Sequence, residues 1–284
     1  MPKIIIVTDS TSDIPKEVRE RLGIEMVPLK VMFGYDAFLD NITIGPEQFY
    51  EKLQQYPELP TTSQPSPADF MAVYERLLEQ QPEASIISIH ISSQFSGTFQ
   101  SALLAHSMLE RAADITVVDS KSASYGAGLL VVRAAEMAAA GSSKDEILQE
   151  IDRLRNEMGL YFLVDTLEYL QKGGRIGRAS ALVGSILNIK PIMTIDKEGV
   201  VTAVDKVRGS KKAMHRIVAL LKEQFGNEPV TLVIAWTSDK TPAMELYELI
   251  KNEFAVHKVI TTTIGPAIGT HVGPGTSAVF MYRV

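Results

Sequence analysis

Short, unbroken apolar runs alternate with amphipathic stretches through the first half of this chain. Residues 4–7, 85–91 and 114–118 are continuous runs of Ile, Val and small residues, and they predict strands buried on both faces. Residues 25–33 form a further apolar stretch, broken by Pro28. Between these runs the pattern turns helical at residues 15–22, 46–56, 66–80, 98–111 and 122–140. Ser66 followed by Pro67 predicts an N-cap with proline at the first helical position. Ser143 with Glu146 predicts a capping box after Gly141 closes the long Ala-rich helix. The βαβα rhythm argues for an α/β domain with a mostly parallel sheet covered by helices on both faces.

The second half follows another grammar. Strands are expected at 160–164, 191–195, 200–207, 230–236, 258–263 and 277–284. The segment Asp196-Lys197-Glu198-Gly199 reads as a hairpin turn. Helices are expected at 166–172, 179–187, 210–225 and 242–254. Hairpins mixed with helices imply an α+β domain, so the chain divides into residues 1–158 and 159–284.

The length of 284 residues and a hydrophobic content of 45% allow a full core in both parts. The formal net charge of −6 argues against nucleic acid or an anionic membrane as the main partner. With no cysteine, disulfides, thiolate metal sites and a cysteine nucleophile are excluded. The first apolar run is too short for a signal-peptide core, and the span 127–140 carries Arg133 and Glu136. The expectation is a cytoplasmic protein without a membrane span.

Two hydroxyl-rich segments carry the candidate chemistry. Thr61-Thr62-Ser63-Gln64-Pro65-Ser66 precedes one helix, and Ser92-Ser93-Gln94-Phe95-Ser96-Gly97-Thr98 joins a strand to another. Helix starts offer unpaired N–H groups and a positive dipole end, so nearby hydroxyls suit a small anion such as a carboxylate. The second segment is a turn at the carboxyl end of a strand, where α/β sheets bind ligands. Gly97 there allows close backbone approach. Asp9-Ser10-Thr11-Ser12-Asp13 lacks the glycine and distal glutamate of a calcium loop and reads as a turn at the same sheet edge. Gly173-Gly174-Arg175-Ile176-Gly177-Arg178 follows a helix, not a strand, so dinucleotide-loop logic fails and a helix C-cap is expected. His271 lies in a glycine-rich tract, while His90, His106, His215 and His257 show no ligand spacing, so no metal site is expected. Arg208, Lys211, Lys212 and Arg216 cluster at a helix start, as a solvated face or as a docking patch.

An ordered set of these motifs resembles the DegV family of bacterial fatty-acid-binding proteins. The matching residues are Asp9-Ser10-Thr11, Thr62-Ser63-Gln64-Pro65-Ser66, Ser92-Ser93 with Ser96-Gly97-Thr98, Gly173-Gly174-Arg175-Ile176, Lys190-Pro191-Ile192 and Gly269-Thr270-His271-Val272-Gly273. They span nearly the whole chain in the family's order.

The resemblance implies a fatty acid such as palmitate, stearate or oleate lying between the two domains and no other cofactor. It implies that Thr62, Ser63, Gly97 and either Ser93 or Ser96 hold the carboxylate, helped by Arg175 and His271. It also implies a partner, a kinase subunit resembling dihydroxyacetone kinase, docked through Arg208, Lys211 and Lys212. That subunit would use ATP and magnesium to make acyl phosphate, leaving this chain no catalytic residue of its own. Phe162, Leu182, Ile186 and Ile268 are expected along the apolar tunnel. Two other readings are a sensor whose partner reads the loaded state, and a hydrolase or acyltransferase. The latter would use Ser93 or Ser96 with His271 as base, although Gln94 and Thr98 break the nucleophile-elbow pattern.

Overall fold

The computed structural model of the chain describes residues 3–184 and 189–284. The first half runs β1 (Ile4–Asp9), α1 (Lys16–Leu22), β2 (Glu25–Val27), β3 (Lys30–Phe33), β4 (Asp36–Leu39), α2 (Pro46–Gln55), β5 (Thr61–Ser63) and α3 (Pro67–Gln80). It continues through β6 (Ser85–His90), α4 (Thr98–Met108), β7 (Ile115–Asp119), α5 (Tyr125–Ala139) and α6 (Lys144–Glu157). The second half runs β8 (Gly159–Leu163), α7 (Glu168–Lys172), β9 (Ile189–Ile195), β10 (Val201–Arg208), α8 (Ser210–Phe225) and β11 (Val230–Trp236). It ends with α9 (Thr241–Lys251), β12 (Val256–Thr263), α10 (Pro266–Val272) and β13 (Ser277–Arg283). The described residues also form two 3₁₀ turns, Ser10–Ser12 and Gly177–Leu182.

β2, β1, β6 and β7 form a wholly parallel sheet in that order. Every residue of β6 is buried, as its unbroken apolar pattern requires of a strand covered on both faces. The second half builds a six-stranded mixed sheet, β10-β9-β8-β13-β11-β12, in which only β11 and β12 run parallel. The Asp196–Gly199 hairpin joins β9 to β10 as read from the sequence, with Gly199 at φ 84°. One hydrophobic cluster includes Ile87 and Ile89 of β6, Leu129 of α5, and Phe162, Val233 and Phe280 of the second sheet. The two halves therefore share buried apolar surface along the face where β6 ends.

Several expectations are corrected in detail. The stretch 25–33 serves two sheets, because β2 joins the parallel sheet while β3 joins a small antiparallel sheet, β4-β3-β5. The hydroxyl segment at Thr61 is not a free loop: Thr61, Thr62 and Ser63 are an edge strand paired with Met32, Val31 and Lys30. The glycine-rich tract holds a short helix, α10, with Pro266 in its first turn. The helix expected over residues 179–187 is a 3₁₀ turn, Gly177–Leu182; residues 185–187, including Ile186, lie outside the described residues. Both sequence-read caps are present. Ser66 and Ser143 each accept from the N3 backbone while Asp69 and Glu146 accept in return.

Candidate functional site

The carboxyl ends of β1 and β6 point toward α10 and the second sheet, and an apolar cavity lies there. It is walled by Ile91, Phe162, Ile264, Ile268, Ala278 and Phe280, among others. Phe162 and Ile268 were anticipated for this wall; Leu182 does not line it.

The polar residues of the wall fall into two kinds. Thr11, Ser124 and Thr276 line the cavity but donate their hydroxyl protons elsewhere. Thr11 donates to Asp9, Ser124 to Asp13 Oδ2 at 2.5 Å, and Thr276 to the Val272 and Gly273 carbonyls at 3.1 and 3.2 Å. Thr62, Ser96, Arg175 and His271 make up the second kind, and they lack this saturation. Three of them, Thr62, Arg175 and His271, also line an outer groove with Tyr56, Tyr169 and Lys172. They mark the mouth.

Local structure sets each of these side chains. The period-two alternation of β5 leaves Thr61 and Ser63 exposed and turns only Thr62 inward. Thr62 Oγ1 lies 2.8 Å from His271 Nε2. With the His proton on Nε2, the Thr62 hydroxyl is free to donate to a ligand. His271 Nδ1 is buried with no partner among the described residues. Burial, and then the neighbouring Arg175 charge, push the His271 pKa down to about 4, so the ring is neutral at pH 7. Gly173 permits this arrangement, since a Cβ there would collide with the His271 ring. Arg175 is held by two carbonyls: Nε donates to Phe95 O at 2.9 Å and Nη1 to Gly173 O at 2.7 Å. No carboxylate pairs with it among the described residues, so its charge remains available to an anion.

The second hydroxyl segment separates its serines. Ser96 lines the cavity, and its Oγ lies 2.8 Å from Thr98 Oγ1 at the start of α4. Ser93 does not line the cavity; its backbone N–H is turned to Asp119 Oδ1 at 3.3 Å. Ser63 is exposed and its hydroxyl donates to Gln64 O at 3.4 Å. Gly97 makes room for the Gln64 side chain and so brings the two segments together. Ser92, the first residue of the segment, donates to Gly199 O at 2.9 Å and ties the first half to the β9–β10 hairpin.

A further polar layer lies behind the site, built on Asp13 of the turn after β1 and on Asp40. Asp13 Oδ1 accepts from Gly265 N at 2.9 Å and Asp40 Oδ1 from Ala267 N at 3.2 Å. Two first-half carboxylates therefore meet the backbone donors at the start of α10, the helix that carries His271. Burial pushes both carboxyl groups up, Asp13 well above the carboxylate range and Asp40 to about 7.

The serine-hydrolase reading needs a serine within reach of His271. Neither Ser93 nor Ser96 hydrogen-bonds to His271, whose Nε2 faces Thr62, so among the described residues the geometry offers no such pair. A Ser–His–Asp series does exist elsewhere: Ser88 Oγ lies 2.7 Å from His90 Nε2, and His90 Nδ1 lies 3.1 Å from Asp9 Oδ2. Ser88 and His90 are fully buried and line no part of the cavity, so this series braces β1 against β6. Among the described residues, no group of His, Asp and Glu is placed to hold a metal ion, and no helix is long and apolar enough to cross a membrane. Arg208, Lys211 and Lys212 are exposed at the start of α8, whereas Arg216 pairs with Asp205 and Glu223.

The fold is an α/β one, a parallel-sheet half packed on a mixed-sheet half, with an apolar cavity that opens at a cationic, hydroxyl-lined mouth. The model of the DegV family, described as uncharacterised proteins, matches residues 3–284, and the chain belongs to that family. Protein DegV of Bacillus subtilis is 37% identical over 274 residues, covering 96% of each chain. A DegV family protein from Thermus thermophilus, whose structure is described as fatty acid binding, has a TM-score of 0.93 and 38% identity, over 99% of this chain and 100% of that one. A stearic-acid-binding protein from Eubacterium ventriosum has a TM-score of 0.89 and 26% identity, over 100% of this chain and 98% of that one.

Proposed function

We propose that this chain binds one long-chain fatty acid and presents its carboxylate to a separate kinase subunit for conversion to acyl phosphate. The observation that carries the reading is the segregation of the cavity wall: unsaturated donors gather at the mouth, and apolar or fully engaged groups line the rest. The carboxylate takes its hydrogen bonds from Thr62, Ser96 and the Arg175 guanidinium, with neutral His271 fixing Thr62. Burying about 14 methylenes of the tail contributes on the order of 11 kcal/mol gross, at ~0.8 kcal/mol each. Immobilising the tail and the chain's overall motion offsets much of that. The tail therefore sets affinity and the mouth sets which end faces outward. In this reading residues 1–158 and 159–284 act as two domains that grip the ligand between them.

At the mouth, one carboxylate oxygen faces the outer groove, where it attacks the γ-phosphorus of ATP and ADP leaves. The kinase subunit supplies ATP and magnesium, and this chain supplies orientation. The exposed cations Arg208, Lys211 and Lys212 are the proposed docking patch, and the cytoplasm, where ATP is available, is the proposed compartment. Calorimetry with oleate and with methyl oleate tests the binding step. Oleate is expected to bind at one per chain and the ester far more weakly, whereas equal affinity for both would refute the carboxylate site. Acyl phosphate formation by a dihydroxyacetone-kinase-like subunit with ATP and magnesium, dependent on this chain, tests presentation.

A further inference from the structure

The cavity has a second boundary. Leu160 and Ile195 line it from within and also line a separate polar groove behind it, bordered by Lys121, Arg155, Asn156 and Lys197. The mouth residues Thr62, Arg175 and His271 do not touch that rear groove, and Leu160 and Ile195 do not touch the outer one. The cavity therefore lies between two solvent-open spaces, with head-group chemistry at one end and two aliphatic side chains at the other.

The backbone is weakly zipped at this rear boundary. Among the described residues β8 and β9 share a single register pair, Phe162 with Met193, whereas β9 and β10 pair from Ile189 with Arg208 to Ile195 with Val201, with one irregularity between Ala203 and Asp205. Beside Leu160 a side chain stands in for the ladder, as Thr194 Oγ1 donates to Leu160 O at 2.6 Å. Leu160 is buried and Ile195 half-buried, so the partition is one layer of side chains thick, with water on its far side. An acyl chain anchored by its carboxylate at the mouth ends against whatever closes the far end.

We infer that Leu160 and Ile195 are the stop that sets the longest acyl chain this protein accepts. The inference rests on the fatty-acid reading above. Truncating either side chain to alanine removes carbon atoms from the stop and opens the cavity into the rear groove, with room for about two further methylenes by carbon count. Enlarging Ile195 to phenylalanine moves the stop inward and shortens the preferred chain.

The test uses the purified full chain and its variants Ile195→Ala, Leu160→Ala, Ile195→Phe and Val204→Ala. Each is offered an equimolar series of saturated acids from dodecanoic to docosanoic, and the retained acids are extracted and identified by mass spectrometry. Val204 borders the rear groove but not the cavity and serves as the control. The expected result is at least a threefold enrichment of longer acids in Ile195→Ala, a shift to shorter acids in Ile195→Phe, and the unaltered distribution in Val204→Ala. If Leu160→Ala fails to fold, the two Ile195 variants, at a half-buried position, carry the test alone. Stoichiometric acid with an unchanged length distribution in both Ile195 variants overturns the inference and leaves the fatty-acid reading intact. Absence of any retained acid in every form, the unaltered chain included, overturns both.

Discussion

Asp40→Asn is expected to stabilise this protein at pH 8 and to leave it nearly unchanged near pH 4. Asp40 is wholly buried, one oxygen accepts from Ala267 N, and the other has no partner among the described residues. Burial first, and then the charge of Asp9, raise its pKa from 3.8 to about 7. Between those values the unfolded chain has released the proton and the native protein still holds it. Stability at this site is therefore fully present below pH 3.8 and is lost as pH rises through 7. At about 1.4 kcal/mol per unit, the cost at pH 8 is on the order of 4 kcal/mol. Asparagine matches the neutral form, keeps a carbonyl oxygen for Ala267 N–H and does not titrate. The assay is urea unfolding of both proteins at intervals from pH 4 to pH 8, read as the difference between variant and wild type. That difference should grow with pH in favour of the variant. A difference independent of pH, or one that favours the wild type more strongly at pH 8, would refute a carboxyl group buried with its proton.

Three further outcomes follow from the site. His271→Gln should unmask the opposite slope: a ring whose pKa falls to about 4 contributes stability that is lost as pH drops from 6.5 through 4, about 3 kcal/mol, and the same unfolding series should show that loss in the wild type relative to the variant. Because the Asp40 and His271 windows overlap with opposite sign, the two differences from the wild type should run in opposite directions across that range. Arg175→Ala should weaken oleate binding by ~10- to 100-fold, the value of a hydrogen bond to a charged group, while leaving binding of the methyl ester unchanged in calorimetry. Ser92→Ala strands the Gly199 carbonyl at the junction of the halves and should lower unfolding free energy by ~1–3 kcal/mol.

Much of the frame was legible because the relevant signals are local. The runs that became β1, β6 and β11 are apolar on both faces, and the caps at Ser66 and Ser143 rest on residues three positions apart. The two hydroxyl segments were visible for the same reason, but their internal assignments were not. Thr62 faces inward and Ser63 outward because β5 pairs with β3, a contact made across about thirty residues of sequence. Ser93 and Ser96 separate because the turn before α4 sends one backbone amide to Asp119 and one hydroxyl to the cavity. Such choices depend on tertiary partners that no spacing encodes. The burial of Asp13 and Asp40 was not legible, since an aspartate in a turn or a polar stretch reads as surface. Their burial is decided by the arrival of the Gly265–Ala267 backbone, more than two hundred residues later. The short helix α10 was hidden by its glycines, which depress helix propensity yet fit where the first-half elements pack closely.

The proposed function requires a single acyl chain in the cavity with its carboxylate at Thr62, Ser96 and Arg175. Mass spectrometry of organic extracts from the purified protein, set against its native mass, tests it most directly. One long-chain fatty acid per chain is expected. A protein that emerges empty, and that also refuses added palmitate and oleate, would contradict it.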